Sequence, residues 1–347
     1  MAAGNRITQL DGVRGIAIAM VLVHHMLRVR ALWMGVDLFF VLSGFLITGI
    51  LYNEKQKPFG KYIGGFYARR AKRILPPYVI VMLLATIFID RIWLQYWYMY
   101  VGGMNFVAAF HPDQAAPLPL WSLAVEEQFY LLWPLAVFWL DRKHLIRCAL
   151  AMMAIAPVLR YVCTPLFARE WAIYMLLPFR MDTMAAGALI ALLWPELKER
   201  LVAVPWLRWR ILSAATIAMA VSCICLYLLD IHHLSPVSNR PLANFATYEC
   251  TLGICGSFFF VALIGFGKRL LTLWPLMFLG QISYTLYLAH IPAVILMPGR
   301  PPIVPFAASV LFATAMWYAV EKPILSYKHK QAKVLVQPER VPLPVVD

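Results

Sequence analysis

Charge is what this chain has least of. Only 14% of its 347 residues are Asp, Glu, Lys or Arg, against 62% hydrophobic residues and a mean hydropathy of +0.71. Soluble domains carry about 25% charged residues, so a soluble globular fold is excluded. No hydrophilic stretch is long enough to form a separate soluble domain. Cysteines are few: Cys148, Cys163, Cys223, Cys225, Cys250 and Cys255 lie in or beside apolar runs without CxxC or metal-ligand spacing. They read as packing residues, and no metal site is expected. No internal repeat is visible, which weighs against a transporter built from repeated halves. Acidic residues are scarce beside basic ones, 17 against 31, for a net charge of +14. Nucleic-acid binding would need a basic soluble face, which this composition does not supply.

Present instead are repeated apolar runs of about 20 residues, the length that spans a bilayer as a helix. Ten spans are expected at 7–27, 35–52, 74–95, 122–140, 147–163, 173–194, 210–229, 246–266, 275–297 and 303–321. The first is too polar for a cleaved signal peptide and lacks a small-residue cleavage site, so it is read as retained. The fold class is therefore an all-α polytopic membrane protein, with about ten transmembrane helices around a polar cavity. With the N-terminus inside, 22 Lys and Arg fall in cytoplasmic segments, six in outer loops and three within spans. The positive-inside rule then makes both termini cytoplasmic. Residues 1–326 are read as one integral membrane domain and 327–347 as a cytoplasmic tail.

Polar residues inside the spans mark the chemistry, because a charge at bilayer depth costs about 2.5–3.5 kcal/mol on insertion scales. Arg14 and His25, in LDGVRGIAIAMVLVHH, are eleven residues apart. Three helical turns return to within roughly 20°, so both share one inward face about 16 Å apart along the axis. Asp37, in GVDLFFVLSGFLI, is expected near the depth of His25. It is either the orienting partner of that imidazole or an interfacial residue reaching for water. Ser43 and Gly44 read as a close helix contact. Arg69, Arg70 and Arg73, in FYARRAKRILPPY, gather on one flank that suits phosphates, of a ligand or of lipid headgroups. Glu126 and Glu127, in WSLAVEEQFYLLWP, point about 100° apart, one toward the cavity and one toward the interface. Arg180 and Asp182, in FRMDTMAAG, each need a partner on another helix or in water. With Ser283, Tyr284 and His290 in QISYTLYLAH, they are expected to line a polar cavity, for substrate or for structure. Glu321 and Lys322 read as boundary residues.

Taken together and in order, these segments and the closing VEKP resemble the membrane-bound acyltransferase-3 family, from Leu10 to about Pro323. The resemblance implies an O-acyltransferase that moves an acyl group, typically acetyl, from cytosolic acyl-CoA to a hydroxyl of a sugar or glycan outside. The acceptor would be a lipid-linked polysaccharide, a surface glycan or a secreted glycoside. Arg14 and His25 match the family's Arg/Lys-x10-His hallmark, Arg69, Arg70 and Arg73 its RRxxR element, and Glu126 its SLxxE carboxylate. Some members append an SGNH hydrolase-like domain after the last span, and none is expected here.

These readings converge on one mechanism. Arg69, Arg70 and Arg73 hold the phosphates of acetyl-CoA, a donor substrate and not a permanently bound cofactor, at the cytoplasmic mouth. Its pantetheine arm follows the face of Arg14, which orders the donor or pairs with Glu126. His25 removes the acceptor's proton, with Asp37 as candidate partner. The other partners are a glycan acceptor and the lipid bilayer, and the setting is a bacterial cytoplasmic (inner) membrane. Two alternatives remain: a glycan or lipid transporter or flippase, which moves substrate without acyl transfer, and a non-catalytic scaffold, which tolerates changes at His25.

Overall fold

The computed structural model describes residues 7–116, 118–167, 171–231 and 238–326. The expected tail at 327–347 lies outside them. No strand occurs among the described residues. The described residues form thirteen α-helices: α1 (Gln9–Leu27), α2 (Gly35–Glu54), α3 (Phe59–Phe88), α4 (Met104–Phe110), α5 (Trp121–Trp139), α6 (Arg142–Cys163), α7 (Trp171–Met175), α8 (Met181–Ala203), α9 (Pro205–Ile231), α10 (Pro241–Leu263), α11 (Lys268–Leu271), α12 (Trp274–Leu296) and α13 (Ile303–Met316). A π-helical turn, Trp317–Glu321, continues α13. Ten of these helices are long, and eight have the length and apolar composition to cross a membrane. The chain is an all-α polytopic membrane protein.

The expected spans at 122–140 and 173–194 fall on the two remaining long helices, α5 and α8. Each is too polar to meet that criterion alone: α5 carries Glu126, Glu127 and Gln128, and α8 carries Asp182 and the run from Glu196 to Arg200. The 173–194 segment is also not one helix. Pro178 sits in a 3-10 turn, Leu177–Phe179, which parts α7 from α8 and places Arg180 at the N-cap of α8. The third span is longer than expected. Helix α3 begins at Phe59 and runs 30 residues, about 45 Å, so the arginine-rich segment belongs to the same rod as the apolar one. Asp141 separates α5 from α6 and caps α6 by accepting the His144 N–H at 2.8 Å. That bond holds its exposed carboxyl below the usual range.

Lipid has no use for the hydrophobic effect between helices, so tight packing depends on small residues at the contacts. Helix α1 lies against α12 and α2 against α8 at such contacts. A methyl on Gly15 would fall 2.1 Å from the Leu276 carbonyl oxygen, and one on Gly280 would fall 1.9 Å from that of Asp11. In the second pair the corresponding distances are 1.9 Å from Gly44 to the Met184 oxygen and 2.0 Å from Gly187 to the Val41 oxygen. Gly44 thus acts as the expected helix contact. At the rim, α9 leaves Ile217, Val221, Ile224 and Tyr227 exposed, a surface suited to lipid tails.

Charged residues bind the helices where apolar packing cannot. Arg180 and Asp37, both 1% exposed, pair at 2.5 Å and tie α8 to α2. Arg160 of α6 donates to Asp182 at 2.6 Å, to Glu249 of α10 at 2.5 Å and to the Phe179 carbonyl at 2.6 Å. The Arg180 guanidinium also lies 4.7–6.0 Å from the ring centroids of Trp33, Phe40, Trp121, Tyr174 and Tyr248. Such rings attract a desolvated cation through their negative faces.

Two outcomes follow from these contacts. Gly187→Val should lower membrane abundance and thermal stability by about 1–3 kcal/mol or more, because the Val41 backbone cannot yield as a side chain can. Wild-type unfolding of the detergent-solubilised variant would show that the α2–α8 contact is looser than described. Arg180→Met should cost about 3–5 kcal/mol by leaving Asp37 buried without its cation, and adding Asp37→Leu should restore much of that loss. Thermal unfolding of the two variants side by side is the measurement.

Candidate functional site

A cavity opens between α1, α2, α3, α5 and α12, about 780 Å³ with the open space at its mouth included. Its wall includes Arg14, Ser43, Arg70, Arg73, Ser122, Glu126, Glu127, Tyr130, Ser283, Tyr284 and Tyr287, with Val36, Phe39, Phe40, Ile74 and Leu123 as apolar lining. Three arginines and two carboxylates from three helices therefore face one space. Helical geometry sorts the arginine run: Arg70 and Arg73, three residues apart on α3, point inward. Arg69 turns away to Glu54 at 2.7 Å with 40% of its side chain exposed, so the expected trio is a pair.

Several cavity groups hold one another in place. Glu126 accepts from Ser43 Oγ at 2.8 Å through one oxygen and from Tyr130 OH at 2.8 Å through the other. Ser43 is thus more than a small packing residue. The Arg70 guanidinium lies 4.7 Å from the Tyr130 ring centroid. Both Glu126 and Glu127 line the cavity, contrary to the expected split between cavity and interface. Arg14 forms its ion pair with Asp11 at 3.7 Å, not with Glu126. On α12, Ser283 donates to the Gly280 carbonyl at 2.9 Å and Tyr284 to that of Ile74 at 3.2 Å, so both line the cavity with hydroxyls already committed. Ser122 and Tyr287 share a hydrogen bond of 2.5 Å. Glu321 is 4% exposed and accepts from Thr285 at 2.7 Å, so it is a buried residue and not a boundary one.

His25 stands apart from this wall. It is exposed near the end of α1, and its Nδ1 lies 2.9 Å from the Val21 carbonyl oxygen and 3.3 Å from Nε2 of His290. His290 is fully buried, its Nδ1 lies 2.6 Å from the Tyr287 carbonyl oxygen, and its ring centroid is 5.5 Å from that of Tyr287. Tyr287 of the cavity wall, His290 and His25 thus form a series of neighbouring rings, 5.5 Å and 4.9 Å apart between centroids. Adjacent His24 turns to the Val29 carbonyl at 3.1 Å.

Three expectations are corrected by these positions. Asp37 is not the partner of His25: it is spent on Arg180, because a carboxylate this deeply buried needs a full counter-charge. Arg180 and Asp182 do not line the cavity but belong to the buried ion pairs among α2, α6, α8 and α10. His290 is not part of the cavity wall but faces His25.

The sequence reading passed over Tyr130, Ser122, Tyr287 and the partnership of Arg160 with Asp182 and Glu249. Tyr130 had a readable signal, sitting four residues after Glu126 and so above it on one helix face. Arg160 had another, a charge inside an apolar run. Ser122 and Tyr287 meet across 165 positions and carry no sequence signal.

Comparison with known proteins adds a lineage to this geometry. The chain is 26% identical over 91% of its length to O-acetyltransferase OatA of Staphylococcus aureus, 25% over 92% to peptidoglycan O-acetyltransferase OatA of Listeria monocytogenes, and 26% over 91% to putative peptidoglycan O-acetyltransferase YrhL of Bacillus subtilis. It covers 54–56% of these proteins, so the chain spans about half the length of the curated relatives it matches. No solved structure matches it. The acyltransferase domain model matches residues 7–321, which takes in every cavity residue and both histidines, and the chain belongs to the acyltransferase-3 family.

Proposed function

We propose that this chain is a membrane O-acetyltransferase that passes an acetyl group from acyl-CoA on the cytoplasmic side to a hydroxyl of a glycan, of peptidoglycan type, on the outer side. The carrying observation is one cavity that gathers Arg14, Arg70, Arg73 and Glu126 and whose wall residue Tyr287 neighbours the His290–His25 pair. The relatives are named as O-acetyltransferases, which supports the reaction class, and the distribution of basic residues supports the direction. The rule on basic loops puts the start of α3 and both termini inside, and the end of α1 outside, with ten crossings of a bacterial inner membrane.

The chemistry follows from the groups present. Arg70 and Arg73 supply two fixed guanidinium groups near the cytoplasmic end of the cavity, a match for phosphate oxygens. Arg14 lies on the same wall and orders the rest of the donor. The Glu126 carboxylate keeps Tyr130 in position, and the Tyr130 ring supports Arg70. At the reacting carbonyl the acceptor oxygen forms a bond to carbon, the bond to sulfur breaks, and the acceptor's proton must leave as this happens. His25 takes that proton on its free nitrogen and returns it to the departing thiolate. A transporter would need a similar polar cavity and could also use a proton-accepting imidazole, but it would move solute without acetyl transfer.

His25→Ala should abolish acetyl transfer by the purified protein in lipid, a loss on the order of 10²–10⁴-fold, without changing insertion. His24→Ala should retain activity, because His24 faces the Val29 carbonyl. Near-wild-type transfer by the His25 variant would remove the base assignment, and solute flux without acetyl transfer by the wild-type chain would favour a transporter.

The arginines predict a kinetic split. In oriented vesicles with acyl-CoA only on the face bearing the start of α3 and acceptor only on the other, Arg70→Ala and Arg73→Ala should each raise the KM for acyl-CoA about 10-fold or more. Each loses a charge-assisted contact of about 1.5–3 kcal/mol. Arg69→Ala should stay within about two-fold, since Arg69 is engaged with Glu54 outside the cavity. Equal effects at all three would make the run a lipid anchor, and transfer only with both substrates on one face would overturn the sidedness.

A further inference from the structure

We infer that His290 is a positioning residue that holds His25 in the tautomer with Nε2 bare and stabilises the imidazolium formed when that nitrogen accepts a proton; this rests on the reading of His25 as the base. The argument starts at the buried end. His290 Nδ1 lies 2.6 Å from the Tyr287 carbonyl oxygen, and a carbonyl can only accept, so Nδ1 carries the hydrogen. In a neutral ring this leaves Nε2 of His290 as a lone pair, and it points at Nδ1 of His25 at 3.3 Å. A lone pair there asks for a hydrogen on the facing nitrogen. The Val21 carbonyl, 2.9 Å from the same Nδ1, asks for it too. Both neighbours therefore place the His25 proton on Nδ1 and leave Nε2 of this exposed residue as the acceptor.

The two neighbours are not equivalent. The Val21 oxygen already takes a backbone hydrogen bond within α1 and moves with the helix, whereas His290 is fully buried on α12 and anchored to its own backbone. Once His25 is protonated, its Nδ1–H becomes a charged donor, and the His290 lone pair, aimed at it beforehand, accepts a stronger bond than a neutral donor makes. Buried carboxylates are too far committed to do this: Asp37 serves Arg180, and Asp182 and Glu249 serve Arg160. A neutral imidazole is the orienting group at this site, and it adds no charge to an apolar surrounding.

The test joins spectroscopy to kinetics in the full chain, reconstituted in nanodiscs with ¹⁵N-labelled histidine. The His25 resonances are identified by their loss in His25→Ala. In the wild type at neutral pH, His25 should show a protonated Nδ1 and a bare Nε2. His290→Leu should mix the two tautomers and lower kcat about 10-fold or more, with the KM of both substrates within about two-fold and thermal unfolding close to wild type. His290→Gln, whose amide oxygen can accept the same Nδ1–H, should restore most of both the tautomer and kcat. An unchanged His25 tautomer in His290→Leu overturns the inference, as does a fall in kcat that tracks lost stability and is not rescued by Gln. Absence of acetyl transfer in the wild type, with the tautomer still answering to His290, would instead overturn the proposed activity and leave the positioning role standing.

Discussion

The cost of placing charge in an apolar medium governs this molecule. Every arginine and carboxylate carried into the bundle must find a counter-charge, a carbonyl, an aromatic face or a cavity, and each solution joins particular helices. Arg180 binds α8 to α2 through Asp37, and Arg160 binds α6 to α8 and α10 through Asp182 and Glu249. Small residues then let α1 meet α12 and α2 meet α8 at backbone distance, so that these charged ties remain short.

The buried cations accordingly divide into two kinds. Arg160 and Arg180 are paired with carboxylates and lie against aromatic rings, and they hold the scaffold. Arg14, Arg70 and Arg73 face the cavity, and Arg14 makes a loose ion pair with its helical neighbour Asp11. The proposed donor binding uses the second kind, side chains held in position whose charge is not consumed by a close carboxylate. Glu126 contributes to this arrangement by spending its oxygens on Ser43 and Tyr130, hydroxyls that leave the guanidinium groups free.

A second separation runs along the cavity. Arg70 and Arg73 line the cavity on α3, the exposed imidazole of His25 lies outside its wall, and Tyr284 and Tyr287 line the wall on α12. Helix α12 is therefore central to the proposed activity: its small residue Gly280 admits α1, and its His290 meets the His25 that α1 carries. The same helix contact that stabilises the bundle brings the two imidazoles together.

Local periodicity was enough to read much of this from sequence. The apolar runs determined the all-helical membrane class, the ordered motifs determined the family, and an eleven-residue spacing put Arg14 and His25 on one face. Those are properties of a helix and its solvent, and they need no knowledge of neighbours. Pairings are different. Asp37 could be matched with His25 by depth alone, yet Arg180 takes it, because 143 positions of intervening chain place that guanidinium against it. Arg69, Arg70 and Arg73 look equivalent in a row, and only the position of α2, with Glu54 at its end, separates one from the other two. His290 meets His25 across 265 residues, a contact that depends on the packing of α1 against α12. Residue type and spacing determine which groups enter the membrane; the tertiary structure decides which of them neutralise one another and which remain available for chemistry, because the energy of a buried charge depends on what lies within a few ångströms of it.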